Sequence, residues 1–156
     1  MALLAGLLLG GSMAFAGEQV IRLETDGATG RFRFEPALVL AEPGEQVRFV
    51  PDGRLHAVKS IAGMLPMGVE SWRGRMGEPL TLRLEVPGVY GVKCPAHYSL
   101  GMVALIVVGR EPGNWAQARA VRHPAAAAEA MRALFAEAAC ALGPGFAADC
   151  VPPATD

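Results

Sequence analysis

Three side chains that bind transition metals lie close together in the second half of the chain. Cys94, His97 and Met102 offer a thiolate, an imidazole and a thioether at a Cys-x2-His-x4-Met spacing. Soft and borderline donors of this kind suit copper, which cycles between Cu(II) and Cu(I). A trigonal site with two imidazoles, a thiolate and a weak axial thioether needs a second histidine, and His56 lies upstream. The sequence therefore predicts one copper ion bound by these four residues.

Each of these residues also has a structural interpretation. A lone cysteine near a strand is often a small buried hydrophobe, and a histidine or a methionine often serves packing alone. The joint spacing favours a metal, because only a tight loop turns three such side chains inward. Zinc is the weaker alternative, since structural zinc prefers four strong tetrahedral ligands and takes no thioether. A c-type haem is excluded because the chain has no Cys-x-x-Cys-His motif.

The region that must position these ligands consists of short β-branched or alternating runs. Turn dipeptides such as Pro43-Gly44 and Asp52-Gly53 separate the runs. Leu80, Leu82 and Leu84 alternate with polar residues, a pattern typical of an antiparallel sheet with one face in water. The predicted strands span residues 20–23, 31–35, 37–40, 46–50, 56–60, 80–85, 89–93 and 103–108. About eight strands in this length predict a mainly β sandwich.

The predicted sandwich brings the ligands together from two places. His56 is expected to begin a strand, whereas the other three ligands lie on a loop between the strands 89–93 and 103–108. In a sandwich, loops cluster at the two ends of the sheets. We therefore expect His56 and the Cys94 loop to meet at one end.

Two helices are predicted after the strands. Asn114 is expected to cap a short helix to residue 121, and Pro124 to open a longer one that ends near residue 142. The apolar residues that share one face of the longer helix are Met131, Leu134, Phe135, Ala138 and Leu142. This face is expected to pack on the sandwich. The predicted organisation is a sandwich over residues 17–110, a helical segment over 111–143 and a loose tail over 144–156.

Residues 1–16 predict a secretory signal peptide. An apolar run precedes Ala14-Phe15-Ala16, the small-x-small pattern of a cleavage site, although no Lys or Arg precedes the run. The segment is too short and too Gly-broken to span a bilayer, which takes about 20 apolar residues. The mature chain is expected to begin at Gly17. In an oxidising compartment Cys140 and Cys150 either form a disulfide, which is favoured, or remain two free thiols.

Composition excludes several classes of function. The chain has 14 Lys plus Arg against 15 Asp plus Glu and no basic cluster, so nucleic acid is not an expected partner. Its 3 histidines cannot supply several metal centres, so we expect no catalysis from this chain alone. His123, the histidine left over from the predicted site, is interpreted as an exposed bystander.

Six segments of the chain carry a resemblance to a known family. They are Phe34-Glu35-Pro36-Ala37, Pro43-Gly44, His56-x-Val58, Met64-Leu65-Pro66, the run from Pro87-Gly88-Val89-Tyr90 through Gly91-Val92-Lys93-Cys94, and His97-Tyr98-x-x-Gly101-Met102. These segments resemble the pseudoazurins over residues 20–109. The resemblance implies a Greek-key cupredoxin β-sandwich with one type 1 copper ion. Matched residue by residue, it implies the same four ligands.

The resemblance also implies a function and a place of action. It implies a diffusible one-electron carrier of the bacterial periplasm that donates electrons to a denitrification reductase such as nitrite reductase. Nitrite reductase and c-type cytochromes are the implied redox partners, and a monomer suits such a shuttle. The alternative is a periplasmic copper carrier or chaperone without an electron-transfer role.

Residues around the predicted site are expected to affect the docking of a redox partner and the reduction potential of the copper. His97 is expected to be the electron gateway, within an apolar patch of Pro95, Ala96, Leu100, Phe32, Met64 and Pro66. A basic rim is expected from Lys59, Lys93, Arg54, Arg73 and Arg75, the alternative being scattered solvated side chains. The resemblance is incomplete at Ala57, where the family usually has Asn. It is also incomplete at Ala96, whose N–H is expected to donate to the Cys94 sulfur and raise the reduction potential.

Overall fold

The computed structural model describes residues 17–151, so the predicted signal peptide and residues 152–156 lie outside the described part. Two four-stranded sheets form the body of the protein, in the orders β2-β1-β4-β6 and β3-β8-β7-β5. The strands of the first sheet are β1 (Glu18–Thr25), β2 (Phe32–Glu35), β4 (Gln46–Pro51) and β6 (Leu80–Arg83). Those of the second are β3 (Leu38–Ala41), β5 (Lys59–Ser60), β7 (Gly88–Lys93) and β8 (Val103–Val108). The predicted mainly β sandwich with eight strands is confirmed.

Strand pairing in the two sheets is mixed. β6 pairs antiparallel with β4, as the leucine alternation predicts. However, β1 runs parallel to β4, and β3 runs parallel to β8. Such pairs need crossover connections, because a tight hairpin can only join antiparallel neighbours. The crossovers pass between the sheets and tie them into one sandwich.

The uninterrupted apolar run of β8 reflects burial on both of its faces. All six residues of the strand are buried. Ala104, Ile106 and Val108 belong to the apolar core shared by the two sheets. Val103 and Leu105 on the opposite face belong to a second core that includes the C-terminal helices. A strand covered on both faces has no polar alternation to keep.

The predicted strand over residues 56–60 is wrong in its first half. β5 consists of Lys59–Ser60 only, and His56 lies in the loop before it. The carbonyl oxygen of His56 accepts a hydrogen bond from Gly77 N–H at 2.8 Å, and that of Val58 accepts one from Gly74 N–H at 2.8 Å. These partners belong to an irregular segment, so this part of the chain joins no sheet although its residues are apolar.

The two helices follow the strands as predicted, as α1 (Trp115–Arg119) and α2 (Ala125–Leu142). The buried face of α2 contains Met131, Leu134, Phe135 and Ala138. The sequence predicts that Asn114 caps α1, but its side chain makes no capping hydrogen bond there. Its amide instead donates to Val89 O at 2.9 Å and accepts from Val89 N–H at 2.7 Å. Between residues 17 and 151, no helix is both long and apolar enough to cross a membrane.

The predicted loose tail is fastened over its first residues. Residues Pro144–Phe146 form a short 3-10 helix, and a disulfide joins Cys140 to Cys150. Trp115 Nε1 donates a hydrogen bond to Asp149 Oδ2 at 2.8 Å. The disulfide confirms the favoured pairing of the two cysteines. The sequence pattern does not reveal the contact between Trp115 and Asp149, because it joins α1 to a segment 34 positions away.

Candidate metal centre

The ligand loop between β7 and β8 is closed by its own backbone. Cys94 N–H donates to Met102 O at 3.1 Å, Met102 N–H donates to His97 O at 3.2 Å, and His97 N–H donates to Cys94 O at 3.2 Å. A short 3-10 helix, Tyr98–Leu100, lies within the loop. Gly101 ends it with φ +90°, and a Cβ there would lie 3.3 Å from the carbonyl oxygen of Ala126 in α2. The loop is therefore compact and packed against a helix.

One ring nitrogen of His56, Nε2, contacts two polar side chains, whereas the other, Nδ1, has no partner among the described residues. Its imidazole is fully buried. Nε2 lies 3.0 Å from Thr25 Oγ1 and 3.4 Å from Asp52 Oδ1. Nδ1 is buried without any hydrogen-bond partner among the described residues. An unpartnered polar atom in this position is costly, and a metal ion would satisfy it.

The structure brings His56, Cys94 and His97 together. One donor atom of each lies within 4.8 Å of the others, and no other group of three His, Cys, Asp or Glu residues in the described chain is as close. Cys94 Sγ lies 3.6 Å from His97 Nδ1, and Cys94 is buried as a free thiol. Two imidazoles and a thiolate in this arrangement fit a type 1 copper site.

Met102 is placed in the same apolar core as Cys94. Its side chain is fully buried, and it directly precedes β8. A thioether in a water-free core is available to a soft metal as a weak ligand. Its assignment as the axial ligand stays a prediction.

The electrostatics of the site keep His56 neutral. Burial lowers the pKa of His56 below its ordinary value, and the nearby His97 lowers it further, while the Asp52 carboxylate opposes both effects. A neutral imidazole is the form that binds a metal. His56 is therefore ready to act as a ligand near neutral pH.

His97 is half-buried and lies against Phe32. The two rings are stacked, with centroids 3.7 Å apart and an interplanar angle of 11°. Phe32 and Pro95 are half-buried, and Ala96 and Leu100 are exposed, as expected for a surface patch. Leu100 is the most open of these, at 62%.

Two residues assigned to that patch by the sequence are instead buried. Met64 is fully buried, and Pro66 is buried beneath the surface. A Cβ at Gly91 would lie 2.6 Å from Met64 Sδ, and one at Gly88 would lie 2.7 Å from Pro66 Cγ. Both side chains therefore fill space that the glycines of β7 leave, so they are part of the core.

Basic residues line up across the edge of the second sheet. Lys59 in β5 is the cross-strand partner of Lys93 in β7. Arg73 forms a bridge with Lys59 on its other side. Burial lowers the pKa of Lys93 below its ordinary value, and Lys59 adds to this effect. We call Arg73, Lys59 and Lys93 the basic ladder.

Sequence reasoning was wrong about His123. This histidine is half-buried, and its Nδ1 lies 2.6 Å from the Tyr98 hydroxyl. Lys93 Nζ lies over the Tyr98 ring, 4.2 Å from its centre. The contact joins the ligand loop to the connection between the helices, a relationship that local sequence patterns do not contain.

The contacts of the Cys94 sulfur also differ from expectation. Within residues 17–151, its hydrogen-bonding neighbour is His97 Nδ1, and no bond from Ala96 N–H is present. The turn aligns the next amide, His97 N–H, with the Cys94 carbonyl instead. A higher reduction potential therefore gains no support from Ala96.

Sequence reasoning missed Thr25 and Asp52, the partners of His56 Nε2. A carboxylate four residues before a predicted ligand, just after a strand, is the signal that was available for Asp52. Thr25 lies 31 positions from His56 and has no such signal.

Known proteins resemble this chain in sequence and in structure. A family described as copper binding proteins, plastocyanin/azurin family, matches residues 21–109. The pseudoazurin of Paracoccus pantotrophus is 41% identical over 133 residues, which cover 85% of this chain and 92% of that protein. The pseudoazurin of Methylorubrum extorquens is 36% identical over 124 residues, covering 80% of this chain and 84% of that protein.

The solved structures agree with the sequence relatives. The crystal structure of pseudoazurin from Methylobacterium extorquens AM1 matches with a TM-score of 0.74 and 36% identity, covering 78% of this chain and 98% of that one. The copper-binding family match and the cluster of His56, Cys94 and His97 together identify copper as the cofactor of the site. The chain thus belongs to the plastocyanin/azurin family of copper-binding proteins and, within it, to the pseudoazurins, which are copper-binding electron carriers.

Proposed function

We propose that this protein is a diffusible one-electron carrier of the periplasm, with a type 1 copper ion held by His56, Cys94, His97 and Met102. It donates electrons to a denitrification reductase such as nitrite reductase and receives them from a c-type cytochrome. It acts as a monomer and is itself no enzyme. The observation that carries the proposal is the cluster of His56, Cys94 and His97, in which one donor atom of each lies within 4.8 Å of the others, together with the buried, unpartnered Nδ1 of His56.

The donor set suits electron transfer. Copper bound there supplies a Cu(II)/Cu(I) couple, and a thiolate with two imidazoles binds either state. The backbone bonds that close the Cys94 loop and the burial of His56 keep the donors in one arrangement. Rigid ligands lower the rearrangement that accompanies each electron transfer.

The surface around His97 suits brief docking. The half-buried ring lies among apolar side chains, including the exposed Leu100. A small apolar face loses water readily and separates readily, which suits a carrier that must turn over. His97 is the proposed exit for the electron.

The basic ladder supports an acidic partner surface. Like charges that face each other across strands destabilise a sheet, so the ladder costs folding stability. Its placement beside the ligand loop favours steering of an acidic partner toward His97. We expect Lys59→Gln and Lys93→Gln to slow electron transfer to the reductase at low salt and to flatten its dependence on salt.

A matched control separates steering from net charge. Arg110 is exposed and follows β8, whose far end lies away from the ligand loop. Arg110→Gln removes the same charge and is expected to leave the rate nearly unchanged. Equal slowing in all three variants would contradict a local docking role for the ladder.

The histidine count supports a carrier without catalysis. Of 3 histidines, two lie in the proposed copper site and His123 is bonded to Tyr98. None is left for a second metal centre. Export to the periplasm predicts a mature N-terminus at Gly17, which N-terminal sequencing of the exported protein checks.

Redox cycling tests the proposal against a copper chaperone. The purified copper protein is reduced and reoxidised repeatedly in the presence of a chelator, and its copper content is measured after each cycle. A carrier keeps its copper and its reduction potential through every cycle. Progressive loss of copper to the chelator would favour delivery of the metal.

A further inference from the structure

Two residues contact the Nε2 side of the His56 ring, opposite the nitrogen that has no partner. Nε2 lies 3.0 Å from Thr25 Oγ1 and 3.4 Å from Asp52 Oδ1. The same Asp52 carboxylate accepts a hydrogen bond from Thr25 N–H at 2.9 Å through its other oxygen. His56, Thr25 and Asp52 therefore form a closed set of contacts.

The first sheet fixes the positions of both partners. Thr25 is the last residue of β1, and Asp52 follows the last residue of β4. Asp52 N–H donates to Leu23 O at 2.9 Å, which continues the parallel pairing of the two strands by one bond. The partners of His56 are thus placed by the sheet, whereas Cys94 and His97 are placed by a loop of the other sheet.

The contacts select one form of the neutral imidazole. A carboxylate only accepts hydrogen bonds, so Asp52 favours a proton on Nε2. A proton on Nε2 leaves the lone pair on Nδ1, the atom that has no partner among the described residues. Metal-binding histidines typically donate their second N–H to such an acceptor, which orients the ring.

We propose that Thr25 and Asp52 are positioning residues of the copper site, which hold His56 with Nδ1 toward the metal and set a negative charge behind this ligand. The proposal rests on the proposed role of His56 as a copper ligand. The charge stabilises Cu(II) more than Cu(I) and therefore lowers the reduction potential. The Asp52 side chain is 43% exposed, so water and salt screen part of this effect.

The first test uses the metal-free protein, so it does not depend on copper chemistry. Long-range proton–nitrogen NMR at pH 8 reports which ring nitrogen of His56 carries the proton. The wild type is expected to show Nε2–H, and Thr25→Val combined with Asp52→Asn to show a mixture of both forms. A wild-type proton on Nδ1, or a double variant identical to the wild type, would overturn the proposal.

The second test measures the reduction potential of the copper-loaded protein. Asp52→Asn keeps the side-chain shape and removes the charge, so the potential is expected to rise. Asp26→Asn is the matched control, because Asp26 follows Thr25 but its carboxylate accepts from Ala28 N–H at 2.9 Å and pairs with Arg33. A rise for Asp52→Asn that does not exceed the rise for Asp26→Asn contradicts the assigned charge effect.

The Thr25 hydroxyl is tested by loss and rescue. Thr25→Val keeps the branched shape without the hydroxyl and is expected to alter the copper EPR signal and speed copper loss to a chelator. Thr25→Ser restores the hydroxyl and is expected to restore both properties, while urea unfolding checks that each variant folds. An unaltered signal and rate in Thr25→Val would remove Thr25 from the proposal. Absence of a thiolate-to-copper absorption band in the wild type would instead count against the proposed function, and the metal-free NMR result would still stand.

Discussion

The Phe32 ring lies parallel to the imidazole of His97, with centroids 3.7 Å apart. Phe32 begins β2 in the first sheet, whereas His97 belongs to the loop after β7 in the second. The stack therefore joins the two sheets at the metal end of the sandwich. It also covers one face of a half-buried ring that is the proposed exit for the electron.

Removing the Phe32 ring is expected to loosen His97. Phe32→Ala should lower the free energy of unfolding by about 1–2 kcal/mol, less than the roughly 3–5 kcal/mol of a fully buried phenylalanine. It should also speed the transfer of copper to a chelator, because the imidazole gains freedom to turn. Urea unfolding and chelator kinetics measure the two effects. Phe32→Tyr keeps the stack and serves as the control, and copper loss at the same rate in both variants would contradict the role of the ring.

The side chain of Asn114 is expected to stabilise the fold through β7. Its two bonds to Val89 replace main-chain pairing at a buried position. Asn114→Ala leaves a buried N–H and a buried C=O without partners, so the free energy of unfolding should fall by about 1–3 kcal/mol. Asn114→Asp keeps the acceptor for Val89 N–H and loses the donor, and should lie between the two in urea unfolding. An alanine variant as stable as the wild type would disprove this role.

The Cys140–Cys150 disulfide is expected to stabilise the protein without affecting the metal site. The bridge closes a loop of sequence separation 10, and a loop of this length contributes about 2–3 kcal/mol through the unfolded state. Replacing both cysteines with serine should lower the free energy of unfolding by this amount and leave the copper absorption spectrum unchanged. A changed spectrum would show that the fastened segment supports the ligand loop.

The bond between His123 and Tyr98 predicts a pH-dependent contribution to stability. Burial lowers the pKa of His123 below its ordinary value of 6.5, and Lys93 lowers it further. Burial raises the pKa of Tyr98, so its hydroxyl stays protonated and keeps its hydrogen bond to the neutral imidazole. Below pH 6.5 the unfolded chain then binds more protons than the folded one, so the stability that His123 contributes is present above that pH and is lost as the pH falls.

The comparison with His123→Gln isolates this contribution. Unfolding of the copper-loaded wild type and the variant is measured from pH 7.5 to pH 5. The stability of the wild type relative to the variant should decline over this range. A constant difference would mean that His123 titrates alike in both states.

The features that the sequence predicted correctly depend on residues close together in the chain. The run 103–108 matches β8 at both ends because a strand buried on two faces has an uninterrupted apolar sequence. Cys94, His97 and Met102 were found by spacing because one short loop carries them. His56 was predicted because the site needs a second imidazole and a sandwich brings this upstream histidine to the same end as the Cys94 loop. Its expected strand is nevertheless a loop, since its carbonyl oxygen pairs with Gly77 N–H rather than with a strand.

What was missed depends on tertiary contacts. Asn114 has the residue type of a helix cap, but β7 lies close enough to take both of its hydrogen bonds. Thr25 and Asp52 are brought to His56 by the parallel pairing of β1 and β4, which nothing in either strand indicates. The burial of Met64 follows from the small residue at Gly91, far along the chain.

The visible absorption and EPR spectra of the copper-loaded protein, measured beside Cys94→Ser, show whether the Cys94 thiolate binds copper in a type 1 site. A type 1 site bound by the Cys94 thiolate predicts an intense thiolate-to-Cu(II) charge-transfer band and a narrow copper hyperfine splitting, both lost in the serine variant. A colourless wild type, or an ordinary tetragonal Cu(II) signal that the substitution leaves unchanged, would contradict the account.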